Sequence, residues 1–356
     1  MKFLAYYLPQ YHPIPENDEW WGNGFTEWTN VRKAKPLFRG HAQPRVPAGD
    51  NYYDLSSVDP MIEQAKLAKR YGIHGFCYYH YWFNGKRLLE QPLERMLATP
   101  EVDIPFCLSW ANEPWTRAWD GAERQVLMPQ EYGTEPDWRR HFECLVRFFR
   151  DPRYIKVRNR PMMVIYRTSS IPNVDAMLSV WNSMAREAGF DGIYLVETMN
   201  SYQKIPKVAA SDAVIEFEPM FSLTHHLSQR SRVFARLWGI LRYGGLNTKS
   251  YRRVWQEVAR RKHVDYGGRE MFPGAFVDWD NSARRGMNGL VLRNAHPRIF
   301  ERFLRQMLDD TQLKPETDFV FVNAWNEWAE GTYLEPDTRF GTAYLEAIAR
   351  VAAQRR

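Results

Sequence analysis

Cysteine is scarce in this chain of 356 residues, with only Cys77, Cys107 and Cys144. Three thiols without C-x-x-C spacing argue against a disulfide framework or a zinc site, and each falls in a segment with core patterning. Uninterrupted apolar runs are also short. No window reaches the roughly 18 to 20 residues of a membrane helix, and the N-terminus lacks a long apolar stretch followed by a small-residue cleavage site, so a cytoplasmic location is expected. There is no low-complexity tract, no repeat at a period of 20–50 residues and no glycine-rich loop to cradle phosphates. No His, Cys and Asp grouping has the spacing of a zinc or calcium site. Neither metal nor cofactor is therefore expected.

Aromatic residues are abundant instead: 14 Trp, 19 Tyr and 20 Phe. Many stand beside Gly, Asn, Glu or Pro rather than in apolar runs, a distribution suited to a site lined with rings. The net charge of +6 is unevenly placed. Residues 229 to 262 hold ten Lys or Arg against one acid, Glu257. Nucleic acid is not an expected partner, because no binding module accompanies that charge.

Eight short apolar runs alternate with segments of helical period: 2–8, 73–79, 104–110, 161–167, 192–198, 212–218, 274–279 and 318–325. They are rich in Val, Ile, Phe and Tyr with weak polar alternation, as strands buried on both faces are. The intervening helices carry start and stop signals, Asp59-Pro60 and Gly72 for one, and Gly189 ending a helix over 174–188. The pattern predicts a single (β/α)8 barrel over residues 1–356 with long βα loops at 9–56, 111–137 and 219–272. Reactive groups then belong at the C-terminal ends of the strands.

The stretch after the eighth run, Trp325-Asn326-Glu327-Trp328-Ala329-Glu330-Gly331-Thr332, carries the most chemistry. Two carboxylates three apart share one face if the chain turns helically, within reach of one glycosidic bond. Retaining glycosidases hold their carboxyls about 5–5.5 Å apart and inverting ones about 6.5–9.5 Å. Nearby tryptophans would dry the site and raise a carboxyl pKa. An acid pair at this spacing also suits a salt-bridged surface loop, but strand-end placement and aromatic neighbours favour a site.

This stretch, with A-Y-Y-L-P-Q-Y-H-P at 5–13, W-W-G-x-G-F-T-E-W at 20–28, Y-Y-H-Y-W at 78–82 and W-D-N at 279–281, resembles the WbsX-like branch related to glycoside hydrolase family 99. The resemblance spans nearly the whole chain. It implies a (β/α)8 enzyme that cuts internal α-mannosidic links with retention, encoded among genes for bacterial surface polysaccharides. It further implies that Glu327 deprotonates the sugar's own 2-hydroxyl, which attacks C1 to give a 1,2-anhydro sugar. Glu330 becomes the general acid and base at the leaving oxygen, with Asn326 adjoining.

Other strand ends supply candidate sugar ligands. Trp110, Asn112 and Glu113 follow the third run, and there Glu113 is read as a substrate-binding or supporting carboxylate. Tyr79, His80 and Trp82 close the second run, with His80 the expected binder. Tyr7, Tyr11 and His12 follow the first, while Trp20, Trp21 and Trp28 are expected to pack the first loop on itself. Asp278, Trp279 and Asn281 are read as ligands at the seventh run, with Arg284 and Arg285 near the rim, and Trp325 completes the set. Asp278-Trp279-Asp280 also spells the D-x-D metal pattern of nucleotide-sugar transferases, a weak three-letter match.

Within 229–262, Val233, Phe234, Leu237, Trp238 and Leu241 form an apolar stripe beside Arg230, Arg232, Arg236 and Arg242. A lid packed on the barrel is the favoured reading. Contact with an anionic membrane surface or a lipid-linked glycan phosphate is the alternative. The leading functional expectation is a retaining endo-acting glycoside hydrolase on a mannose-like polysaccharide. The rivals are a glycosyltransferase of surface-polysaccharide assembly and a glycan-binding barrel without turnover.

Overall fold

A computed structural model describes residues 1–117, 122–227, 243–261, 264–311 and 313–355. The basic stripe expected at 230–242 lies outside them. Among the described residues no helix is long and apolar enough to cross a membrane.

All eight expected strands form. They are β1 (Lys2–Tyr7), β2 (Ile73–Phe83), β3 (Phe106–Trp110), β4 (Arg160–Ile165), β5 (Tyr194–Met199), β6 (Ala213–Glu216), β7 (Glu270–Phe272 and Gly274–Phe276) and β8 (Phe319–Asn323). Each pairs in parallel with its sequence neighbours, and β1 pairs with β8, Lys2 opposite Phe319. The barrel closes through β7, which is broken at Pro273: its first piece pairs with β6 and its second with β8. Proline cannot donate to a ladder, but its carbonyl still accepts from Phe321 N at 3.0 Å. Residue 274 must be glycine, because a Cβ there would lie 1.8 Å from the carbonyl oxygen of Glu216.

The strands are buried on both faces, which is why they read as runs rather than alternations. Around them stand helices α1 (Asp59–Arg70), α2 (Gln91–Ala98), α3 (Glu135–Phe149), α4 (Val174–Glu187), α5 (Tyr251–Arg260), α6 (Pro297–Asp309) and α7 (Ala343–Ala353). In α4 the inward stripe is Val174, Met177, Leu178, Trp181 and Ala185, as its period requires. Asp59 differs from expectation. It occupies the first helical position of α1 rather than capping it, and its N–H bonds Ser57 Oγ at 3.2 Å.

The long β1–α1 loop folds over the C-terminal mouth of the barrel through two short helices, Pro15–Trp21 and Glu27–Lys33. The β3–α3 loop contributes the antiparallel pair Trp115–Arg117 and Ala122–Met128. The carboxylates of the β8 loop therefore sit beneath side chains from the two longest described insertions.

Candidate active site

Beyond β8 the chain makes a small hairpin, Asn326–Glu327 against Thr332–Tyr333, around a single 3-10 turn, Trp328–Glu330. Its base is fixed to β1. Trp325 N donates to Tyr6 O at 2.7 Å, and the Asn326 side chain accepts from Leu8 N at 2.7 Å and donates to Leu8 O at 3.0 Å. Gly331 closes the turn with φ of +66°, and a Cβ there would lie 2.8 Å from Asp280 Cβ. This contact seats the loop on the segment after β7, where Asp280 N donates to Glu330 O at 2.7 Å.

The turn brings Glu327 and Glu330 to the same guanidinium. Arg284 donates from Nη2 to Glu327 at 3.1 Å, from Nη1 to Glu330 at 2.6 Å and from Nε to Glu27 at 3.0 Å. Three carboxylates thus share one cation. Glu27 is fully buried, while Glu330 keeps 23% of its side-chain exposure. Burial and then the neighbouring Glu330 push Glu327 up to about 8. Burial also raises Glu330, against the pull of Arg284. The pair therefore holds a proton well above the ordinary carboxylate range, and its titration belongs to both groups together.

The two carboxylates open into a cleft of about 310 Å³. Seven rings stand in its walls: Trp21, Tyr79, Tyr81, Trp115, Tyr166, Phe217 and Trp279. Such faces stack on sugars and exclude water. Gln10 and Glu113 add polar edges, the latter held by Arg167 Nη1 at 2.9 Å and raised in pKa by burial.

Of the residues singled out in the sequence, Tyr79, Glu113, Trp279, Glu327 and Glu330 line this cleft together. The others lie around it. His80 is turned outward, its ring 2.9 Å from Nε2 of His141 on α3, and burial holds it down to about 3. Strand alternation gives the cleft Tyr79 and Tyr81 instead, and sends Trp82 to stack on His141 at 4.5 Å. Trp110 is buried against His141, and Asn112 bonds the backbone N and O of Arg167. Tyr7 donates to Gln64 at 2.6 Å, Tyr11 to Asn326 O, and His12 bonds Pro9 O at 3.0 Å, all three fully buried. Trp325 packs on Phe76, and Asn326 is occupied by Leu8.

The segment after β7 splits in two directions. Trp279 enters the cleft, whereas Asp278 accepts from Arg45 at 3.0 Å and Asp280 from His41 and Gln43, each at 2.8 Å. Asn281 accepts from Leu290 N at 2.7 Å. Against the cost of burial, the His41 hydrogen bond and the Arg45 charge hold Asp280 down to about 2. The D-x-D carboxylates are thus already engaged by cationic and amide donors. Among the described residues no group of three His, Cys, Asp or Glu side chains is placed to hold a metal ion.

Besides the wall residues Gln10, Tyr166 and Phe217, three participants escaped the sequence reading. Arg284 is a buried hub rather than a rim residue, and Glu27 lay unremarked inside W-W-G-x-G-F-T-E-W. Trp21 joins the cleft, while Trp28 packs on Tyr11 and Trp328 as expected of the loop. Beneath the hairpin, Glu335 accepts from Trp328 Nε1 at 2.6 Å, Gln64 at 2.7 Å and Tyr53 at 3.0 Å.

Comparison with known proteins places this geometry in context. The sequence model of the family described as Glycosyltransferase WbsX matches residues 3–348. The protein WxcX of Xanthomonas campestris pv. campestris is 39% identical over 346 residues, covering 97% of this chain and 48% of its own length. The chain thus spans about half the length of the curated relatives it matches. Among solved structures, a glycoside hydrolase-like protein superposes with a TM-score of 0.63 at 13% identity, over 98% of this chain and 93% of its own. The family 99 endo-α-mannosidase of Bacteroides thetaiotaomicron gives 0.60 at 12% identity, over 99% and 96%.

Proposed function

This chain belongs to the WbsX family, and from that premise we propose that it is a glycan-cleaving enzyme acting with retention on a mannose-like polysaccharide. The observation that carries the reading is the Glu327–Arg284–Glu330 arrangement at the floor of an aromatic cleft. A carboxylate pair that holds one proton near neutral pH can give a proton at one oxygen while accepting one at another.

In the first step Glu327 takes the proton of the sugar's 2-hydroxyl as O2 attacks C1, and Glu330 protonates the departing glycosidic oxygen. In the second, Glu330 takes a proton from water, the hydroxide oxygen bonds to C1, and the C1–O2 bond breaks as O2 recovers its proton from Glu327. Two displacements at C1 return the original configuration. Arg284 keeps one carboxylate ionised while the other carries the proton; burial favours that proton on the deeper Glu327, so the bound sugar has to draw it to Glu330 before the first step. The positions of the two acids support these roles: Glu330, nearer solvent, can meet the leaving group and water, and Glu327 lies deeper.

The family description names a glycosyltransferase. Against metal-dependent transfer stand Asp278 and Asp280, whose oxygens are already taken by Arg45, His41 and Gln43. The deciding experiment incubates the chain with α-mannan oligosaccharides and, separately, with nucleotide sugars. New reducing ends from mannan, absent in Glu330→Gln, are the expected result. Consumption of a nucleotide sugar with no mannan cleavage would overturn it.

A further inference from the structure

A second cavity, of about 570 Å³, opens on the far side of segment 278–280 from the cleft. Four arginines line it in a gradient of depth. Arg39 and Arg339 are exposed at its rim, Arg293 is half-buried, and Arg45 sits on the floor with 8% exposure. Two rings stand among them: Tyr243 meets Phe38 edge-on at 4.9 Å and lies under the guanidinium of Arg293 at 4.9 Å.

The inner wall carries Asp278 and Asp280, and both are turned to their own donors. His41 Nδ1 accepts from Leu37 N at 3.0 Å, and its Nε2 lies 2.8 Å from Asp280 Oδ2. Four guanidiniums against two carboxylates leave a net charge of about +2 facing the cavity. Among the described residues the buried Nε atoms of both Arg45 and Arg293 have no hydrogen-bond partner. A buried donor without an acceptor is unfavourable, and an anion with several oxygens is what such a set would satisfy.

We propose that this cavity is a binding site for a phosphate-bearing ligand, its phosphoryl oxygens held by Arg293 and the rim pair Arg39 and Arg339, its organic part resting on Phe38 and Tyr243. A phosphate carries about −1.5 to −2 at neutral pH, which balances the cavity where a single carboxylate does not. Arginine's planar fork fits phosphate oxygens in pairs. The site does not depend on which reaction the cleft performs.

Calorimetric titration of the full chain with inorganic pyrophosphate tests this. One-to-one binding is expected, weakened about 10-fold or more by Arg293→Gln, as loss of a charge-assisted hydrogen bond implies. The rim variant Arg39→Gln/Arg339→Gln, on exposed side chains, should weaken it similarly, with the melting temperature read alongside to show that the fold is kept. Glu330→Gln in the cleft should not. Uridine diphosphate and vesicles containing phosphatidic acid, titrated in separate arms, distinguish a soluble nucleotide from a lipid headgroup; arginine-dependent binding in either supports the site. No binding of pyrophosphate at millimolar concentration, binding indifferent to both arginine variants, or equal affinity for glucuronate would overturn it.

Discussion

Glu27 and Arg284 are 257 positions apart in the chain and 3.0 Å apart in the fold. Glu27 has no exposure to solvent, so its charge acts on the guanidinium through protein alone, and it competes with Glu327 and Glu330 for that guanidinium. Glu27→Gln should free more of the Arg284 charge for Glu327 and Glu330 and lower both of their pKa values. The basic limb of the kcat/KM profile would then move to lower pH. A profile superimposable on that of the unaltered protein would show that Glu27 only packs the loop.

The proton-transfer roles predict losses of definite size. Glu330→Gln and Glu327→Gln should each lower turnover by about 10²–10⁴-fold, the usual worth of a positioned acid or base, with glycan binding largely retained. The Glu330 variant should recover on substrates with an acidic leaving group, such as aryl glycosides, which need no protonation; the Glu327 variant should not. A loss of two- or threefold in either would mark the pair as structural.

These carboxylates were legible because strand-end placement and motif agree at the β8 loop, and the eight strands because both faces of each are buried. Phase was not legible. β2 runs to Phe83, past the expected end at 79, and a strand apolar on both sides does not announce which residues face the axis, so the expected Tyr79 is joined in the cleft by Tyr81, and His80 and Trp82 face away. The same one-residue alternation sends Trp279 one way and Asp278 the other. Arg284 looked like a rim residue because its partners come from two distant loops, and no local spacing encodes such a meeting.

Burial of the pair also has a stability signature. Glu327 is raised to about 8 and Glu335 to about 7 by burial, above the ordinary carboxylate value of 4.5. A carboxyl with a raised folded pKa contributes stability that is complete below about pH 4.5 and lost as pH rises through the folded value. Glu327→Gln removes that penalty. Its Tm should exceed that of the unaltered protein at pH 9 and approach it at pH 5, by about 1–2 °C for each kcal/mol recovered in a chain of this length. Equal Tm differences at both pH values would contradict the placement.

Stereochemistry follows from participation of the 2-hydroxyl. Proton NMR of the first-formed product should show the substrate's anomeric configuration, and a 2-deoxy substrate should bind without being cleaved. Chelator should leave the rate unchanged, since the Asp278 and Asp280 oxygens are engaged by protein donors. Inversion, or abolition of activity by chelation, would move the weight to a transferase.

Gly331→Ala tests the seating of the hairpin. Its positive φ and the 2.8 Å approach to Asp280 leave no room for a methyl group. A loss of about 1–3 kcal/mol is expected, with a fall in kcat larger than any change in KM. Unchanged turnover would show that the turn adjusts freely.

The hydrogen bond from Asp280 N to Glu330 O joins more than two loops. Asp280 stands in the wall of the basic cavity, and Glu330 in the floor of the cleft. The two chambers therefore share one wall, and neither side of it can move without the other. A ligand of the arginine-lined chamber that displaced the backbone of residues 278–280 would thereby change the affinity of the aromatic cleft, and the cleft's own ligand would change that of the chamber by the same factor.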